Sequence, residues 1–216
     1  SAASDVYKRQ GQVQLSATDP ARDSNGNPLA GNMHFAWFQG WAGAETIEAA
    51  DRLSATTQGL MDQYQRGVYA DLGAGNDSFT GSAYGDDIDA GSGFNRVDGG
   101  ANAGLNPQGY AARDYLSVYA GSAAQAAAVR AVQLTAGATG ADLAAFNAGY
   151  TFKLERGAEH DYLKDIEAVR VWHWTDDGDG LREDGETSFV KHIDLAPNVG
   201  EHKVSATAVS YTHLTL

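Results

Sequence analysis

Three oxygen-bearing side chains at a nine-residue spacing, Asp77, Asp86 and Asn95, are the residues whose type and position point most directly to chemistry. Each stands sixth in a nine-residue unit, and the three units run from Leu72 to Asp98. Glycines hold the second and fourth positions of the first and third units, at Gly73, Gly75, Gly91 and Gly93. Copies of a unit stacked along an axis bring like side chains together. Stacked carboxylates repel unless something sits between them. A hard cation taking six to eight oxygens at ~2.3–2.6 Å meets that need, with carbonyls of the turns completing its shell. Glycine suits those turns because it reaches positive φ and lets carbonyls face inward. The expected metal-binding groups are therefore Gly73, Gly75, Asp77, Asp86, Gly91, Gly93 and Asn95.

Two further acidic sites extend the set. After Asp98 the register slips: Gly99-Gly100-Ala101 opens a fourth unit whose sixth residue is Gly104, and Arg113-Asp114-Tyr115-Leu116 restores the spacing. Asp114 is expected to serve where residue 104 cannot. The loop Thr175 to Glu186 fits a twelve-residue EF-type frame, with Asp177 at position three, Asp179 at five, Gly180 at six and Glu186 at the bidentate twelfth. Thr175 stands where Asp is usual, Arg182 where an apolar residue packs, and no helices flank the loop, so a solvated acidic loop is the competing reading. Asp23 to Pro28 also alternates oxygen side chains, a pattern shared by a calcium linker between repeated extracellular domains and by a plain Asn-Gly/Asn-Pro turn, the turn being the favoured reading. No H-E-x-x-H, G-x-S-x-G or phosphate-loop lysine occurs, and no enzymatic role is expected of this segment.

The elements that position these residues follow from the same period. Each unit is a six-residue turn and a three-residue strand with one large apolar side chain: Phe79, Ile88 or Val97. Two units make one turn of a flattened parallel helix, so strands eighteen residues apart lie ~4.8 Å from each other. Phe79, Ile88 and Val97 then point inward, and Ser78, Asp87 and Arg96 point out. Asp77 and Asn95 share one edge, with Asp86 on the other. The predicted fold is mainly β, a short parallel β-roll over residues 68–120 between β-rich segments at 11–67 and 121–208 that carry minor helices.

Around the roll, strands are predicted at 11–18, 68–72, 131–134, 150–154, 166–174 and 189–195. Short helices are predicted within 45–64, 123–130 and 141–147. The run from Asp161 to Val171 is read as a cap for the roll's open end, since an unpaired parallel edge invites aggregation.

The units at 72–98 resemble the calcium-binding RTX (haemolysin-type) nonapeptide family, whose pattern is G-G-x-G-x-D-x-(large apolar)-x. The likeness covers about an eighth of the chain. Asn95 replaces Asp, Tyr84 takes a glycine position, and the first glycine is missing from two units. The resemblance implies Ca2+ as the bound cofactor and an extracellular, secreted bacterial module. It further implies acidic repeats that stay unfolded at low cytosolic calcium and fold outside the cell.

Composition agrees with that setting and excludes others. The formal charge is −13, which disfavours a nucleic-acid partner, because phosphate binding needs clustered Lys and Arg. There is no Cys, so disulfides and thiolate metal sites are excluded. No apolar run approaches the ~18 residues of a membrane-spanning helix. The ends look foreign: Asp5 to Gln10 translates a transposon mosaic end, and Val209 to Leu214 translates its reverse complement. Residues 1–10 and 209–216 are thus read as adapter, and 11–208 as an internal part of a larger parent chain. The alternative function is an adhesin or carbohydrate-binding segment that meets cell-surface glycans through Phe35, Trp37, Phe38 and Trp41. Burial of those aromatics would remove its support.

Overall fold

The computed structural model describes residues 37–40, 42–49, 53, 55–64, 67–102, 113–174, 187–195 and 205–207. The expectations for 11–18, 23–28, 175–186, Phe35, Trp41 and both termini lie outside these residues, and Trp37 is described by its backbone alone.

Glycine-rich turns cut the first part of the chain into three-residue strands. These are β1 (Trp37–Gln39), β2 (Thr46–Glu48), β3 (Tyr69–Asp71), β4 (Ser78–Thr80), β5 (Asp87–Asp89) and β6 (Arg96–Asp98). Longer strands follow: β7 (Tyr115–Ala120), β8 (Arg130–Gln133), β9 (Phe152–Arg156), β10 (Glu159–Lys164), β11 (Ala168–Trp174), β12 (Thr187–Asp194) and β13 (Ser205–Thr207). The helices are α1 (Ala55–Tyr64), α2 (Ala123–Ala128) and α3 (Gly140–Asn147). The protein is mainly β.

From β1 to β7 successive strands alternate between two mixed sheets. One has the order β1-β3-β5-β7-β11-β12-β13, and the other β2-β4-β6-β10-β9-β8. Pairing is parallel from β1 to β11 and from β2 to β10, and antiparallel beyond. The register aligns like with like. Phe38, Ala70, Ile88, Leu116 and Val169 form one row of partners across the first sheet. Ile47, Phe79, Val97 and Leu163 form the matching row across the second. All nine side chains are buried in one cluster, and Phe38 meets Phe79 edge to face at 6.2 Å. A fully buried side chain of this size contributes ~1.5–3 kcal/mol, so the rows are the main apolar stabilisation of the short strands.

The later segment extends both sheets. Ser122 caps α2 by accepting the Gln125 N–H at 3.2 Å. Helix α3 is held to the β9–β10 hairpin through Asp142, which accepts from the Tyr162 hydroxyl at 2.7 Å and from Lys153 Nζ at 3.1 Å. Strand β10 covers β6 and β11 covers β7, so the parallel edges that need a cap are paired.

Several expectations change. The short helix expected within 45–64 is present at Ala55–Tyr64, whereas Thr46–Glu48 is strand, because Ile47 belongs to the inner row beside Phe79. The strand predicted at 189–195 spans Thr187–Asp194 and is followed by β13, which pairs with it. Phe79, Ile88 and Val97 are buried and Arg96 is exposed as predicted, whereas Ser78 and Asp87 are half-buried. Asp87 is partly covered by Arg170, whose Nη1 stands 3.1 Å away. Among the described residues no helix is long and apolar enough to cross a membrane.

Candidate metal centre

The turns that precede the strands stack so closely that only glycine fits. A Cβ on Gly75 would stand 1.6 Å from the Gly43 carbonyl oxygen, and one on Gly93 would stand 1.7 Å from that of Gly75. Both adopt positive φ, 146° at Gly75 and 106° at Gly93, as carbonyl-inward turns require. The sixth-position side chains are thereby aligned into two files, one on each edge.

The first file is Glu45, Asp77, Asn95 and Asp161. Each acidic or amide oxygen accepts the backbone N–H of the preceding member. Glu45 N donates to Asp77 Oδ1 at 2.8 Å, Asp77 N to Asn95 Oδ1 at 2.9 Å, and Asn95 N to Asp161 Oδ1 at 3.2 Å. These bonds leave Glu45 Oε1, Glu45 Oε2 and Asp77 Oδ2 buried with no hydrogen-bond partner. Buried polar atoms are normally paired, so three acceptors orphaned on neighbouring carboxylates need a cation or protons. Burial pushes the Asp77 carboxyl up to about 7; the Glu45 N–H opposes this, and the Glu45 carboxyl beside it adds to the rise. At the other end of the file, Asp161 Oδ2 lies 2.7 Å from Arg156 Nε, an ion pair out of line for a hydrogen bond. Burial raises Asp161 to about 6 against the pull of Arg156.

The second file is Asp86, Asp114 and Glu167. Val68 N donates to Asp86 Oδ1 at 2.6 Å, Asp86 N to Asp114 Oδ1 at 2.7 Å, and Asp114 N to Glu167 Oε2 at 2.7 Å. Here the oxygens of Asp86 and Asp114 find local donors. Ser82 supplies both its N–H and its hydroxyl to Asp86, and Asn102 Nδ2 reaches Asp114 Oδ2 at 2.8 Å and Glu167 Oε2 at 2.7 Å. Burial, then the Asp86 charge, pushes Asp114 up to about 9, and burial also raises Glu167.

The expected site residues are thus distributed over both edges. Asp77 and Asn95 share one file, while Asp86 and Asp114 share the other. Gly73 and Gly91 are stacked: a Cβ on Gly91 would stand 1.7 Å from the Gly73 carbonyl oxygen. The carbonyls of Gly91 and Gly93 accept from Arg156 Nη1 and Nη2 at 2.9 and 3.1 Å. Asp177, Asp179 and Glu186 lie outside the described residues. Among the described residues no three His, Cys, Asp or Glu side chains gather around one point, so an ion at Glu45 and Asp77 would draw further oxygens from the backbone. Phe38 is fully buried and offers no surface to a glycan.

Sequence reasoning missed Glu45, Asn102, Arg156, Asp161 and Glu167 as members of these edges. A signal was present for three. Gly43-Ala44-Glu45-Thr46-Ile47 has the unit's spacing of glycine, carboxylate and apolar residue, and Asp161-Tyr162-Leu163 and Glu167-Ala168-Val169 keep its last part. The partners are separated by 32, 66 and 53 residues rather than by eighteen, which hides them from a search for a fixed period. No family model matches this chain, and no curated protein or solved structure is significantly similar to it.

Proposed function

We propose that this chain is a calcium-stabilised structural module, a short RTX-type β-roll with a β-rich cap, belonging to a larger secreted bacterial protein that folds outside the cell. One observation carries the reading: Glu45 and Asp77 leave three buried carboxylate oxygens unpartnered within a file of stacked glycine turns. Oxygen-only donors, carbonyls close by and two negative charges suit Ca2+. Mg2+ suits them poorly, because it demands tight octahedral geometry and gives up water reluctantly. The chemistry of the ion is charge compensation. It turns repulsion between the two carboxylates into shared coordination, and no catalytic step belongs to this reading.

An ion bound only by the folded chain stabilises it by RT ln(1 + [L]/Kd), about 2.7 kcal/mol at a hundredfold excess over Kd. Extracellular calcium would thus favour folding where the cytosolic level does not. The glycan-binding alternative is the weaker one, since Phe38, one of its four aromatics, lies in the core. Thermal denaturation of the full chain in chelator, millimolar calcium and millimolar magnesium tests the proposal. We expect a Tm gain of about 5–10 °C in calcium alone. Equal Tm in all three conditions would refute it.

A further inference from the structure

The two ends of the Glu45–Asp161 file differ in one respect that the repeat itself does not explain. At Glu45 and Asp77 two carboxylates share a buried edge, and among the described residues no basic side chain is paired with them. At Asn95 and Asp161 one carboxylate has become an amide, and Arg156 faces the other. Its side chain is 7% exposed, and the guanidinium donates to the carbonyls of Gly91 and Gly93 and, through Nη2 at 2.9 Å, to Asp161 Oδ1. Asn95 Nδ2 donates to the same oxygen at 3.0 Å and to the Ala90 carbonyl at 2.8 Å. Glycine carbonyls above a carboxylate are the donor set that the sequence motif offers to a cation, and here a side-chain cation holds them.

The hairpin supplies that side chain by construction. Arg156 ends β9, the turn Gly157-Ala158 uses positive φ at Gly157, and Asp161 follows within β10, so the ion pair closes across the strand pair that ends the file.

We infer that Arg156 is a tethered cation occupying the ion position formed by Gly91, Gly93 and Asp161, so that this position takes no calcium in the native chain. The inference deepens the calcium reading and rests on it only for the ion count. It makes the number of ions a property of the cap as well as of the repeats: an arginine at the end of β9 closes the file without metal. A guanidinium matches the task because it is planar, always charged and able to reach two carbonyls and a carboxylate at once.

The test compares the wild-type full chain with Arg156→Gln, Asp161→Asn and the double variant, by calorimetric titration with calcium and by thermal denaturation in chelator. Arg156→Gln should lose about 10 °C in chelator, because a buried carboxylate is left without its partner. The double variant should regain most of that loss, since the unpaired charge is gone. In calcium, Arg156→Gln should bind one more ion per chain than wild type, and Asp161→Asn should bind the wild-type number. No regain in the double variant would show that Arg156 acts as packing and overturn its role as the cation. An unchanged ion count in Arg156→Gln would overturn the assignment of an ion position. Wild type that binds no calcium would instead refute the metal reading at Glu45 and Asp77, and the chelator comparison would still decide whether the Arg156 charge does what is inferred.

Discussion

The two edges carry the same residue type at the same position of the repeat, yet they solve the problem of stacked acids differently. On the first, the file N–H groups occupy one oxygen each of Asp77, Asn95 and Asp161, and Glu45 and Asp77 keep three buried oxygens unpartnered. On the second, Ser82 and Asn102 provide the missing donors, and burial pushes Asp114 up to about 9. A carboxylate in a repeat is therefore not a metal ligand by position alone. What decides is whether local donors and protons have already met its needs, since burying a charge without compensation is costly.

The largest expected effect tests what the edges share. Phe79 sits in the inner row with Ile47 and Val97, so Phe79→Ala should cost ~3–5 kcal/mol and lower Tm by ~10 °C or more, equally in calcium and in chelator. A loss confined to one condition would mean that the two sheets do not share one core. Next comes the contrast itself. Asp77→Asn should abolish most of the calcium-dependent rise in Tm, about 5–10 °C, whereas Asp114→Asn should leave that rise intact. Equal loss of the calcium response in both variants would erase the difference between the edges.

The pH dependence sharpens the comparison further. Asp77, Asp114 and Asp161 have folded pKa values of about 7, 9 and 6, all above the 3.8 of a free side chain. The folded state thus holds these protons more tightly than the unfolded state does. The stability they contribute is complete below pH ~4 and is lost as pH rises through the three folded values. In chelator, Tm should fall between pH 5 and pH 9, and Asp114→Asn should flatten the part above pH 7. Calcium should oppose the part governed by Asp77, because ligation requires the ionised carboxylate and releases its proton. A Tm in chelator that climbs with pH over this range would contradict the burial of these acids. The smallest effect concerns the ends: if residues 1–10 and 209–216 are translated adapter, never selected to pack, deleting them should leave Tm and the calcium response of both edges unchanged. A fall of several degrees would mean that they do pack.

What the sequence determined by itself is what local spacing can encode. Side chains alternate across a strand and glycine permits a tight turn, so the inward positions of Phe79, Ile88 and Val97 and the separation of Asp77 from Asp86 were legible from residues 72–98 alone. So were the helices at Ala123–Ala128 and Gly140–Asn147, whose alanines favour helix. Only the tertiary structure decided how the files begin and end. Glu45 joins Asp77 across an intervening helix, Glu167 joins Asp114 from beyond the β9–β10 hairpin, and Arg156 reaches Asp161 through that hairpin. The first two junctions depend on parallel pairing between segments far apart in the chain, and the third depends on a hairpin that is itself laid parallel against β6; no local period records such pairing. Whether a buried acid is met by a donor, a proton or a cation was likewise undecided in the sequence, because it depends on which remote side chain the fold places against it.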